Sequence, residues 1–152
     1  MAPAIHHTVL AVNDIDASLR FYVEGIGLGV LADREVEGDW PALFGAASTQ
    51  LRVVFLGNPD VPDDTAGVLE LNVFPAGAAR REPILPPPAG LVMISYFVDV
   101  EATLSRLDSL GLARSVRRIE QPTPRGPITI ATVLNPDGVS VLLTPGSITR
   151  AR

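Results

Sequence analysis

VNDIDASL at residues 12–19 and VDVEATL at residues 98–104 are two versions of one segment. With Asn13 counted as a single insertion, Asp14, Ile15, Asp16, Ala17, Ser18 and Leu19 align with Asp99, Val100, Glu101, Ala102, Thr103 and Leu104, and every difference among these pairs is conservative. In both copies an apolar, strand-like run ends at an Asp suited to cap a helix N-terminus. A second carboxylate two residues later favours the positive end of the helix dipole. Apolar residues then recur at Ile15, Leu19 and Tyr22, and at Val100, Leu104 and Leu107, the i, i+4, i+7 positions of an amphipathic helix. Each helix is expected to stop at a glycine-containing turn, GIGLG at 25–29 and LGLA at 110–113.

Outward from these helices, β-type runs follow in the same order twice. The first half has GVLADREV, QLRVVFLG and GVLELNVF, separated by the turn-rich pieces EGDWPALFG and GNPDVPDDTAG; the second has LARSVRRI, PITIATVL, the turn NPDG and VSVLLTP. The pattern is βαβββ written twice, an internal repeat that sets the fold class as α+β. We expect a first module at 1–75 and a second at 91–152, joined by residues 76–90, whose Pro, Gly and Ala content rules out helix or central strand. A linker of that length allows the modules to sit side by side or to pair with those of another chain.

Composition narrows the function. At 152 residues and 47% hydrophobic content the chain can bury an ordinary core. The formal net charge is −5 and the arginines form no basic stripe, so no nucleic-acid partner is expected. With no cysteine there is no thiolate nucleophile, zinc ribbon or disulfide; with no lysine there is no Schiff base and no P-loop. GVSVL at 138–142 lacks the closing glycine of a serine-hydrolase elbow, and GIGLG follows a helix where a phosphate loop would precede one. MAPAIHH does not read as a signal peptide and no apolar run approaches about 20 residues, so a cytoplasmic protein without a membrane partner is expected.

Both histidines lie in IHHTVLAV at residues 5–12. Alternation along a strand sends His6 and His7 to opposite faces, with His7 accompanied by Val9 and Ala11 and His6 by Thr8, Leu10 and Val12. In VLELNV, likewise, Glu70 and Asn72 share one face and Leu69, Leu71 and Val73 the other. Because a helix must cover one side of the sheet, the His7 face is expected to line a cavity and His6 to point outward without a role. Trp40, the only tryptophan, stands in a connection where its ring is able to stack on a planar ligand or to plug the edge of the core.

The duplicated βαβββ, the capping Asp, the aromatic pair Phe21 and Tyr22 and the NPDG turn resemble the vicinal oxygen chelate superfamily, which groups glyoxalases, bleomycin-resistance proteins and extradiol dioxygenases. The resemblance covers nearly the whole chain. It implies two modules curling into an open barrel-like mixed sheet around a cavity, and in metal-dependent members a His and a Glu from each module. Those places fall on His7 and Glu70 in the first module, and on Met93 and Leu142 in the second. Two of the four ligand positions are thus without a ligand. His7 and Glu70 are the metal donors if there are any, and the expectation is no resident cofactor, with room only for a weakly bound divalent metal. Register with Met93 puts Ser95 and Phe97 toward the cavity, giving a binding surface of Val9, Trp40, Asn72, Met93, Ser95, Phe97 and Leu142, more apolar in its second half.

Three readings stand. In the first, a carboxylate-oriented imidazole makes His7 a general base or acid with Glu70 as its orienter, supporting isomerase, cyclase or lyase chemistry on an apolar, oxygen-bearing molecule. In the second, His7 and Glu70 pair only to keep a buried carboxylate satisfied, and the cavity sequesters an antibiotic or similar ligand without converting it. The third is a metal-dependent glyoxalase or dioxygenase. All three have a small-molecule partner, and a homodimer is expected.

Overall fold

Two compact units divide the chain, Met1–Arg80 and Arg81–Arg152. The computed structural model describes residues 5–61, 67–79, 82 and 86–146; of the stretch read as a linker, residues 80, 81 and 83–85 lie outside that set. The first unit runs β1 (His7–Val12), α1 (Ile15–Leu19) continuing into a π-helical segment (Arg20–Ile26), β2 (Gly29–Glu37), α2 (Trp40–Phe44), β3 (Gln50–Gly57) and β4 (Val68–Val73). The second runs β5 (Met93–Phe97), α3 (Val100–Ser109), β6 (Arg114–Gln121), β7 (Ile128–Leu134) and β8 (Ser140–Thr144). Each unit forms a four-stranded sheet, ordered β1-β4-β3-β2 and β5-β8-β7-β6. In each the first strand lies parallel to the last and the other pairs are antiparallel. The expected double βαβββ is therefore present as two mixed, open sheets, neither closed into a barrel.

The repeated segment forms the same cap twice. Asp14 Oδ1 accepts from the Ala17 amide at 2.9 Å, and Asp99 Oδ1 from the Ala102 amide at 3.0 Å, satisfying an amide that a helix start otherwise leaves unpaired. The inserted Asn13 has its own task, since its Oδ1 accepts from the Ala78 amide at 2.8 Å and ties the chain beyond β4 back to the end of β1. In α3 the buried residues are Val100, Thr103, Leu104 and Leu107, as the apolar spacing requires. In the first helix the stripe differs from the expected one: Ser18, Phe21, Tyr22, Gly25 and Ile26 are buried, and Leu19 is half-buried. Side-chain type alone weighed Leu19 over Ser18, whereas the helix turns the same face to its sheet as α3 does with Thr103. The Tyr22 carbonyl accepts from both Gly27 and Leu28, at 3.1 and 2.9 Å, and Gly27 ends the wide turn at φ 101°.

Two local features shape the connections. EGDWPALFG, read as turn-rich, holds the short helix α2, capped by Asp39 Oδ1 on the Ala42 amide at 3.2 Å, with Pro41 in its first turn and Gly45 closing it at φ 76°. Asn-Pro-Asp also occurs twice, at 58–60 and 135–137. In each copy the Asn Oδ1 accepts from the amide of the Asp, at 2.9 Å in the first and 3.0 Å in the second. The second copy is the tighter, for Asn135 is fully buried and its Oδ1 also accepts from the Val139 amide at 2.7 Å.

In each unit one sheet face is buried with its helix. Leu10, Val12, Val54, Leu56, Leu69 and Leu71 join Phe21, Tyr22 and Ile26 in the first; Ala131, Val133, Val141 and Leu143 join Leu104 and Leu107 in the second. The opposite, helix-distal faces carry the polar residues singled out from the sequence.

Candidate functional site

Strand register lays out the helix-distal face of the first sheet in rows across β1, β4, β3 and β2. One row is Val9, Glu70, Phe55, Ala32 and the next is Ala11, Asn72, Val53, Arg34. His7, opposite Val68, stands one pleat before them. From there it reaches diagonally to Glu70, with His7 Nε2 3.2 Å from Glu70 Oε2. The imidazole keeps 36% of its surface exposed and the carboxylate only 12%. A carboxylate withdrawn that far from water needs a donor, and the imidazole N–H supplies it.

His6 does not behave as strict alternation suggests. It precedes the first residue of β1, so the pleat does not govern its side chain, and its Nδ1 lies 2.7 Å from His7 Nδ1 with the rings nearly perpendicular. Between two Nδ1 atoms one must donate and the other accept. With His7 Nε2–H donating to Glu70, His7 Nδ1 is the acceptor and His6 Nδ1–H the donor. The chain of contacts is then His6, His7, Glu70.

Two residues of this face escaped the sequence reading. The Phe55 and His7 rings meet nearly perpendicular, centroids 6.3 Å apart at 89°, and Arg34 lays its guanidinium over Phe55, Cζ to centroid 5.5 Å. QLRVVFLG is apolar on both faces apart from Gln50 and Arg52, so its pattern does not reveal which face Phe55 takes. In β2, Asp33, Arg34 and Glu35 form an unbroken charged run with no alternation to read, and a β-bulge between Val30 and Ala32 shifts the phase.

Asn72 shares the row of Arg34. It is 5% exposed, and its Oδ1 has no hydrogen-bond partner among the described residues. Arg52, by contrast, points to the other face and is fully engaged: its Nε and Nη2 donate to the two oxygens of Asp33 at 3.0 and 2.8 Å. That fork holds the Asp33 carboxyl below the usual carboxylate range and raises Arg52.

In the second unit Met93 pairs with Ser140 and Ser95 with Leu142, just as His7 pairs with Val68 and Val9 with Glu70. Met93 and Leu142 therefore occupy the places of His7 and Glu70. Met93, Ser95 and Phe97 are exposed on the helix-distal face of their own sheet, and Leu142 is half-buried. Val9 is exposed beside Glu70. Trp40 heads α2, where its half-buried ring stacks on Phe44 at 6.0 Å and Phe44 in turn meets the ring of Phe74.

Among the described residues, no three His, Cys, Asp or Glu side chains come together as metal ligands. His7 and Glu70 make two, where a divalent transition-metal centre ordinarily takes three or more protein ligands. A thioether at Met93 and an alkyl group at Leu142 add no donor suited to zinc, iron, manganese or nickel. The donor set does not fit a metal centre of the four-ligand kind. No helix among the described residues is long and apolar enough to cross a membrane.

A model of the Glyoxalase/Bleomycin resistance protein/Dioxygenase superfamily matches residues 4–143. The chain is similar to the lactoylglutathione lyase-like protein terB of Aspergillus terreus, with 37% identity over 145 residues, covering 92% of this chain and 74% of that protein. Among solved structures it is similar to the trypanothione-dependent glyoxalase I of Leishmania major, 23% identical with a TM-score of 0.62 over 95% of this chain and 87% of that one. A glyoxalase family protein of Bacillus cereus is 18% identical, with a TM-score of 0.66 over 92% and 93% of the two chains. At these identities the solved structures bear on fold alone.

Proposed function

Because the chain belongs to the glyoxalase/bleomycin resistance protein/dioxygenase superfamily, we propose that it is a small-molecule enzyme that moves a proton beside a carbonyl, with His7 as base and acid and Glu70 as its orienter. The observation that carries this reading is the 3.2 Å contact between His7 Nε2 and Glu70 Oε2 on the helix-distal face of the first sheet. The carboxylate holds the ring in the tautomer whose lone pair is on Nδ1 and stabilises the imidazolium once a proton arrives. His6 Nδ1–H donates to that lone pair in the free protein and gives way to the substrate. The substrate C–H bond then breaks, its proton goes to His7 Nδ1, and its electron pair moves onto the carbonyl oxygen as an enolate. Return of the proton to another carbon or another face gives isomerisation or epimerisation; loss of a leaving group or internal attack by the enolate gives elimination or cyclisation. Asn72, buried and with an unpartnered Oδ1, is placed to accept from a substrate hydroxyl.

No step in this scheme calls on a tightly held metal or an organic cofactor, and a weakly bound divalent ion is compatible with it. The exposed apolar side chain of Val9, paired with Glu70 across β1 and β4, supports a substrate that is hydrophobic apart from one polar end. Cytoplasmic residence and a homodimeric state belong to the same proposal.

A second reading is favoured by the His6 contact, which already occupies His7 Nδ1 in the free protein: the triad keeps a carboxylate satisfied in a surface that binds an antibiotic or similar ligand unchanged. Deuterium exchange separates the two. Enolisable aryl ketones, phenylpyruvate and its methyl ester among them, are incubated with the protein in D2O and the loss of the benzylic proton signal is followed by NMR. The wild type is expected to accelerate exchange, His7→Ala to lower the rate by about 100-fold or more, and Glu70→Gln by about tenfold. A wild type that exchanges none of the probes, or a His7→Ala variant that exchanges them at the wild-type rate, overturns the enzymatic reading.

A further inference from the structure

We infer that Arg34 binds a carboxylate, so that the substrate class is an aromatic or alkyl keto or hydroxy acid whose anionic end lies on Arg34 while its acidic C–H faces His7. This rests on the proton-transfer reading for the role of His7 but not for the binding itself. The supporting geometry is the placement of Phe55. Its ring lies under the Arg34 guanidinium at 5.5 Å and meets the His7 ring at 6.3 Å. Guanidinium and imidazole therefore flank one ring and stand no farther apart than these two separations laid end to end.

Arg34 is also uncommitted in a way that several other arginines of the chain are not. Arg52 is forked onto Asp33, Arg118 lies 3.5 Å from Glu101, and Arg114 donates to the Pro136 carbonyl at 3.0 Å. Among the described residues Arg34 has no ion-pair partner; its contact is with the face of the Phe55 ring. A ring beneath a guanidinium does not consume the fork of N–H donors that matches the two oxygens of a carboxylate. The ring also restricts the side chain, so less rotamer freedom is lost when the anion binds. Asp33 and Glu35, its neighbours along β2, point to the opposite face and do not compete for it. Asn72, in the same row, offers its buried oxygen to a hydroxyl of the same molecule.

Phenylpyruvate and methyl phenylpyruvate serve as probes differing only in the anionic group. Binding is measured by calorimetry, independently of turnover, and exchange by NMR as above. The wild type is expected to bind the acid about 10- to 100-fold more tightly than the ester. Arg34→Met removes that preference, raising KM for the acid with little change in kcat and no change for the ester. Arg34→Lys restores only part of it, because an ammonium supplies charge without the fork. Equal affinity of the wild type for acid and ester, or an Arg34→Met variant that weakens both alike, overturns the inference. Tight, Arg34-dependent binding of the acid without exchange upholds the carboxylate site and condemns the proton-transfer reading instead.

Discussion

Tyr96 shows how burial sets a pH response. It lies in β5 in register with the buried Leu143, and burial pushes its phenol well above the ordinary value of 10.0. The folded form thus holds the phenolic proton more firmly than the unfolded form does. A raised folded-state value means that the associated stability is complete below the unfolded value and is lost as pH climbs from there toward the folded one. Urea unfolding at pH 8 and at pH 11 is expected to show the wild type losing stability over that interval and Tyr96→Phe losing less; equal losses would exclude the buried phenol as a cause. The residues of the site obey the same economy of burial. Glu70 keeps a carboxylate inside because His7 faces it, whereas Asn72 keeps an oxygen there with no partner among the described residues, at a cost of about 1–3 kcal/mol.

At the scale of elements, the repeat was legible because each capping Asp has one task at one position. Asp99→Ala is expected to cost about 1 kcal/mol, seen as a lower urea midpoint with an unchanged slope, while Asp99→Asn stays close to the wild type; an alanine variant as stable as the parent would show that α3 needs no cap. Elements written in local spacing could be read from sequence: the two capped helices, the glycine stops and the NPDG turn. His7 and Glu70 were legible through strand alternation and their places in the repeat. What depended on the phase of long or irregular strands was not. Phe55 sits in a strand apolar on both faces, Arg34 follows a bulge within a charged run, and His6 stands just outside the strand whose alternation was used to place it. The short helix α2 was hidden because Pro and Gly mark a helix's first turn and its end as well as they mark a loop.

For the whole molecule, duplication repeats the architecture without repeating the candidate site. Both units keep the sheet order and the register, yet only the first retains His7 and Glu70, while the second presents Met93, Phe97 and Ile119 with more than a third of each exposed. Apolar side chains of that size on one sheet face are what an association surface offers. Sedimentation equilibrium is expected to give twice the mass of one chain, and Phe97→Glu to shift the equilibrium toward the single chain; a monomer at micromolar concentration would contradict the proposed homodimer. The parallel pairing of β1 with β4 bears, finally, on the order in which the ribosome delivers the chain. The imidazole belongs to the first strand of the unit and its carboxylate to the last, with two strands and the connections among them made in between. A nascent chain therefore carries both histidines exposed through the synthesis of almost a complete module, and no fragment that stops short of Glu70 can possess the site.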